Sequence, residues 1–211
     1  MNRKNLIPAL FYGAVLLATS AIGEAAATFT LGPDSSLWLT GDSTLHPYTC
    51  KTVELVFTKE IDTAPSTGVV DLWDAVLKKS ALKHLRLTIP VKSLKSKESA
   101  LDKNMYKALK AKDYPEIVYD LSSYEVKPST TSSGTLQVIA TGSLTVADTT
   151  QPMALVIDVT SKDTELRLQG HYTLQMTQYG ITPPTLMFGA IKVRDPVDIH
   201  FDLRWQAVKN E

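Results

Sequence analysis

A strict alternation of apolar and polar residues near the C-terminal end constrains this chain more than any other feature. In VDIHFDLRW, Val197, Ile199, Phe201, Leu203 and Trp205 alternate with Asp198, His200, Asp202 and Arg204. Successive side chains of a strand point to opposite faces, so the segment reads as a strand with one apolar and one polar face. ELRLQGHYTLQM repeats the pattern with Leu166, Leu168, Tyr172, Leu174 and Met176 on one side, and HLRLTIPV does so through Leu85, Leu87, Ile89 and Val91. Each such apolar face has to be covered by another element.

Five less regular segments, LWLTGDS, PYTCKTVELVF, EIVYDLSSYEV, TLQVIATGSLTVA and PMALVIDVT, bring the expected strands to about eight, with DTTQP as the turn between the last two. In KESALDKNMYKALKAK, Leu101, Met105, Ala108 and Leu109 recur at helical spacing, and Pro115 stops a helix from continuing. The stretch from Lys59 to Lys83 reads as a long connection with a short helix around Leu72 to Lys78. Eight one-faced strands joined by short turns bury their apolar faces in a closed antiparallel barrel or in a two-sheet sandwich. A barrel interior of this size is either filled by its own side chains or holds one slender ligand. Bulky Trp205, Phe201, Tyr172 and Tyr119 would fill it, whereas Met105, Met187, Gly142 and Gly170 would leave room.

Residues 1–27 stand apart from this pattern. A basic tip (Arg3, Lys4), an apolar run from Leu6 to about Ala18, and the small residues Ala25–Ala27 form the layout of a cleaved secretory signal peptide. Cleavage is expected after Ala27, with Gly23 the second choice, leaving residues 28–211 as one domain that is periplasmic or secreted. The apolar run is short for a membrane span and contains Pro8. The single Cys50 rules out an intrachain disulfide, and as a small buried hydrophobe it fits the wall of the fold. A formal net charge of zero gives no electrostatic case for nucleic acid as a partner.

Few residues offer catalytic chemistry. GDSTLHPYTC gathers Asp42, Ser43 and His46, but no G-x-S-x-G elbow presents the serine. A turn between two strands, with Asp42 and Ser43 bonding the local backbone, accounts for the same residues. Asp198, His200 and Asp202 share a strand face, yet alternate positions lie about 7 Å apart, too far for a tight metal site without outside help. Local pairing with nearby arginine on a solvated face is the simpler reading. There is no Walker loop, G-x-G-x-x-G, C-x-x-C or H-E-x-x-H, and neither a metal nor an organic cofactor is expected. Lys92, Lys95, Lys97, Lys103, Lys107, Lys110 and Lys112 cluster around the helix, as the water-facing side of an ordinary helix or as an attractant for anionic headgroups.

MYKALKAKDYPEIVYDL, ATGSLTVADTTQPMALVI and QMTQYGITPPTLMFGAIKVRDPVDIHFDL, in that order, together with GDSTLHPYTCKT, resemble the YceI-like family from about Leu37 to Leu203. The resemblance implies an all-β fold: an eight-stranded antiparallel lipocalin-like barrel with one short helix region near an opening. It also implies an exported, non-enzymatic protein that holds a polyisoprenoid or similar amphiphilic lipid, such as a polyprenyl chain or quinone, inside the barrel. Transient membrane contact and a monomer or homodimer fit that reading. The inward-reading residues are then the candidate lining: Leu85, Leu87, Ile89, Met105, Leu109, Ile117, Tyr119, Leu168, Tyr172, Leu174, Phe188, Ile199, Phe201, Leu203 and Trp205. His46 and Tyr179 are candidate polar groups at the mouth. Two rivals stand beside it: a filled barrel acting in envelope stress or interaction, without ligand, and an esterase-like hydrolase using Ser43 and His46.

Overall fold

A computed structural model describes residues 27–62, 69–129 and 134–209. The expected signal peptide falls on residues outside this set, apart from its last position, Ala27. The strands are β1 (Ala27–Leu31), β2 (Ser36–Ser43), β3 (Tyr48–Thr52), β4 (Val56–Ile61), β5 (Leu82–Pro90), β6 (Glu116–Pro128), β7 (Leu136–Val146), β8 (Thr149–Lys162), β9 (Glu165–Gln175), β10 (Thr185–Leu186) and β11 (Ile191–Lys209). Two helices, α1 (Val69–Lys78) and α2 (Ser99–Ala108), are the only α-helices among the described residues.

All the strands belong to one antiparallel sheet whose order is β3-β2-β11-β9-β8-β7-β6-β5-β4, with β1 and β10 each pairing with β11. The two ends of this path, β3 and β4, are consecutive in the chain and separated only by Val53, Glu54 and Leu55. The sheet therefore curls round until its ends are held together covalently, as a half-barrel completed by a bend. At this seam the loop after β5 covers the free edge of β3. Lys51 and Lys95 exchange backbone hydrogen bonds of 2.8 and 2.9 Å, and the Thr52 and Ser93 hydroxyls lie 2.7 Å apart.

The eight expected segments are all strands, and eleven result for two physical reasons. PYTCKTVELVF bends at 53–55 into β3 and β4, and the short strands β1 and β10 add to the remainder. The turn before β8 is Ala147–Asp148, with Ala147 in the left-handed region (φ 53°), so that DTTQP mostly belongs to the strand. Both expected helices are present.

The α1 end of the barrel is sealed. Leu72, Trp73 and Val76 of α1 are buried beside Phe29, which is wholly inaccessible. The Phe29 ring stacks on Trp205 with centroids 4.5 Å apart and lies 5.6 Å from Trp73 and 5.8 Å from Phe57. Burying one such ring is worth about 1.5–3 kcal/mol, and good aromatic geometry adds about 0.5–1.5 kcal/mol. Tyr124 locks the helix to the wall: its hydroxyl donates to the Val76 carbonyl at 2.5 Å and accepts from the Leu82 N–H at 3.3 Å. At the other end a second apolar cluster gathers around Leu144, Met153, Met176 and Tyr179, with Ala108 of α2 and Leu109, which caps that helix, packed against it.

Candidate functional site

Between the two clusters lies a cavity of about 380 Å³. Leu39, Leu87, Ile117, Leu121, Leu155 and Ile199 touch both clusters and all line the cavity. Each is only half-buried, because its remaining exposure is to the hollow. They come from β2, β5, β6, β8 and β11, and their inward direction is the period-two rule applied strand by strand. The wall is almost entirely hydrocarbon.

Two glycines shape this space by accommodating aromatic rings rather than by leaving room themselves. Gly170 pairs with Phe201 across β9 and β11, and a Cβ there would fall 2.5 Å from the Phe201 ring tip. The ring therefore lies flat on the wall. Gly142 plays the same part for Tyr119, whose hydroxyl donates to the Ala140 carbonyl at 3.3 Å. Burial pushes the Tyr119 phenol up to about 12, so it stays neutral and hydrogen-bonded.

Of the sequence-expected residues, Leu85, Leu87, Ile89, Met105, Leu109, Ile117, Tyr119, Leu168, Tyr172, Leu174, Ile199, Phe201, Leu203 and Trp205 all border the cavity, as do His46 and Tyr179. Phe188 does not. It follows Met187 in a tight turn where both residues adopt left-handed backbone (φ 53° and 50°), which throws the ring fully into solvent. Tyr179 is buried below the rim rather than exposed at it, and burial pushes its phenol up to about 12. Absent from the expected lining are Val138, Ala140, Leu144 and Val146 of β7 and Met153, Leu155 and Ile157 of β8. Their alternation in TLQVIATGSLTVA and PMALVIDVT was the available signal.

The cavity reaches the surface away from α1, where exposed Leu45, Glu98 and Ala100 are among its lining residues, with Pro184, Leu186 and Ile191 on the facing hairpin. Here GDSTLHPYTC forms a serine turn. The Ser43 hydroxyl donates to the His46 carbonyl at 2.8 Å and accepts from the Leu45 and His46 N–H groups, both at 3.2 Å. His46 Nδ1 donates to the Pro47 carbonyl at 2.8 Å, and its Nε2 lies 3.8 Å from Glu98. Asp42 pairs with Arg194 at 2.9 Å. The hydroxyl is thus aimed at backbone rather than imidazole, and the carboxylate at guanidinium. Tyr48 lies over Gly41, its phenol pushed up to about 12 by burial, with Cys50 and Asp42 adding to it.

The polar outer face pairs within itself. Asp202 accepts two hydrogen bonds from Arg167, at 2.9 and 2.6 Å, and this partner holds its carboxyl below the usual range. Asp198 accepts from the Thr173 hydroxyl at 2.5 Å, and Arg204 donates to Glu165 at 2.8 Å. His200 stacks between Trp38 and His171, with ring centroids 5.3 and 6.0 Å away. Among the described residues no three His, Cys, Asp or Glu side chains converge as metal ligands. Cys50 is buried in β3, its thiol pushed up to about 12 by burial, with Asp102 adding to it.

A curled antiparallel barrel, plugged by a helix at one end and hollow and apolar within, defines a lipocalin-like protein with an internal chamber. A sequence profile for the YceI-like domain matches residues 39–205, and the chain belongs to the YceI-like family. No curated protein matches the sequence. Among solved structures, the fold is similar to that of BcnA from Burkholderia cenocepacia, at 15% identity over 81% of this chain and 95% of that one, with a TM-score of 0.59. It is equally similar to a polyisoprenoid binding domain from Saccharophagus degradans implicated in plant cell wall breakdown. There the identity is 14% over 87% of this chain and 99% of that one, also with a TM-score of 0.59.

Proposed function

We propose that this chain is an exported binding protein that holds the hydrocarbon chain of an amphiphilic lipid, of polyprenyl or quinone type, in its barrel. The observation that carries the reading is the waist of half-buried aliphatic residues facing a hollow of about 380 Å³. Each methylene buried there is worth about 0.8 kcal/mol, so an apolar chain binds without any charged anchor. The polar end of the ligand would lie at the mouth, among Ser43, His46, Glu98 and Asn104. The polyisoprenoid-binding domain of similar fold supports this ligand class. Export rests on the signal-peptide layout of residues 1–27.

The hollow bordered by Phe201 and Trp205 weighs against the filled-barrel alternative. The backbone-directed hydroxyl of Ser43 weighs against the esterase alternative. The test is organic extraction of protein recovered from its native compartment, followed by lipid mass spectrometry. A stoichiometric amphiphile with a long apolar chain is the expected result. Lipid-free protein that also fails to take up prenyl probes would end the proposal.

A further inference from the structure

The hairpin between β10 and β11 carries the most exposed large apolar side chains of the described chain: Met187 at 73% and Phe188 at 113% exposure. Both have left-handed backbone, a conformation that is costly for residues with side chains. A Gly or Asn pair would relieve that strain, yet this turn spends it on projecting a thioether and a phenyl ring into water. The turn is not loose. The Ala190 N–H donates to the Met187 carbonyl at 3.2 Å, and the Thr44 hydroxyl donates to the Ala190 carbonyl at 3.2 Å. The Thr44 and Lys192 backbones are joined at 3.0 Å, which fixes the hairpin beside the 43–47 turn. Leu45, 64% exposed, projects from that turn and lines the cavity mouth.

The charge beside this tip is net positive. Arg194 offsets Asp42, whereas Glu98, 3.8 Å from the His46 ring, and Asp195, which accepts from the Thr177 N–H and hydroxyl at 2.9 and 2.6 Å, keep their negative charge. Lys192 on the hairpin and Lys97, Lys103 and Lys107 on and before α2 are exposed and have no ion pair among the described residues. Ala100 and Asn104, on the same side of α2 as Lys103 and Lys107, border the mouth. An apolar tip beside a mouth where Lys97, Lys103, Lys107 and Lys192 outnumber Glu98 and Asp195 matches the headgroup boundary of an anionic bilayer. No described helix is long and apolar enough to cross a membrane.

We infer that Met187, Phe188 and Leu45 form a docking tip that seats the cavity mouth on the surface of an anionic membrane, so that a lipid passes between bilayer and barrel without crossing water. This rests on the lipid-binding reading for its purpose, but not for its test. The protein recovered from expressing cells, with Ala190→Cys carrying an environment-sensitive dye, is mixed with vesicles of 3:1 phosphatidylethanolamine and phosphatidylglycerol, or of phosphatidylcholine alone. Cys50 is buried and does not compete for the label. The dye is expected to shift blue with the anionic vesicles, and vesicle affinity is expected to fall at least tenfold in Met187→Ser/Phe188→Ser. Uptake of a soluble short-chain prenyl probe should be unchanged in that variant, while extraction of the same probe from vesicles slows by a similar factor. No dye shift with anionic vesicles, or equal vesicle affinity for the serine variant, overturns the docking tip. Vesicle binding that depends on the tip, without probe uptake by either protein, leaves docking standing and removes the cavity reading instead.

Discussion

Replacing Leu155 with tryptophan separates a barrel that works through its hollow from one that merely contains it. Leu155 lies on β8, half-buried, touching both apolar clusters across the waist of the cavity. An indole in place of an isobutyl group adds about six heavy atoms, close to one isoprene unit, to that space. At about 0.8 kcal/mol per carbon displaced from the wall, the loss is about 4 kcal/mol, or roughly 10³-fold in Kd. Repacking of the flexible Met105 and Met153 nearby would recover part of this, so at least 30-fold weakening is the working threshold, about 2 kcal/mol. The fold should not suffer, because the new ring enters open space rather than a packed core. Titration with a fluorescent prenyl probe gives Kd, and calorimetry gives Tm on the same samples. The wild-type chain should bind with a negative heat-capacity change, the mark of apolar burial. The variant should keep its Tm within a few degrees and lose binding. Leu155→Phe, with a smaller ring, should fall between the two and guards against a variant that fails to fold. Undiminished affinity in a folded Leu155→Trp protein would refute the reasoning, since the probe would then be binding elsewhere.

Gly170→Ala drives a Cβ to within 2.5 Å of the Phe201 ring tip and 2.9 Å of the Val156 carbonyl, so the ring must swing into the hollow. A loss of about 1–3 kcal/mol in stability, with weaker probe binding, is expected by urea denaturation and titration, and Phe201→Leu in the same chain should restore part of both. The Arg167 guanidinium holds the Asp202 carboxyl below its usual range. The stability this pair contributes, of the order of 1 kcal/mol, is therefore complete above about pH 4 and is lost as pH falls through the lowered value. Asp202→Asn should flatten the acid side of a plot of Tm against pH while changing little at pH 7 relative to pH 5. Cys50 should react with a disulfide reagent only as fast as the chain opens, because burial both hides the thiol and keeps it protonated. A thiol titrating rapidly in native buffer would contradict its place in the wall.

The strands were legible because the inside of this molecule is apolar and the outside polar on nearly every strand, and β9 and β11 print that contrast with a period of two. The hollow was not legible, because it depends on where rings lie rather than on which residues face inward. Phe201 and Tyr119 read as fillers, yet Gly170 and Gly142 let both rings lie against the wall. Phe188 was misplaced for a related reason: two consecutive left-handed residues reverse the side-chain direction that alternation would assign. Such a turn usually carries Gly or Asn, and MF gives no local sign of it. α1 was only dimly visible, since Leu72, Trp73 and Val76 make one short stripe in a segment without strand pattern, yet it seals an end of the barrel around Phe29. The polar decapeptide GDSTLHPYTC illustrates the same limit from the side of chemistry. Its serine, histidine and aspartate are close in sequence, but each is committed to a different partner: backbone carbonyls for Ser43 and His46, and Arg194 for Asp42. What the decapeptide does contribute is geometry. By tying Thr44 to the hairpin after β10, it holds Leu45 of this turn and Leu186 and Ile191 of the hairpin together along one side of the cavity.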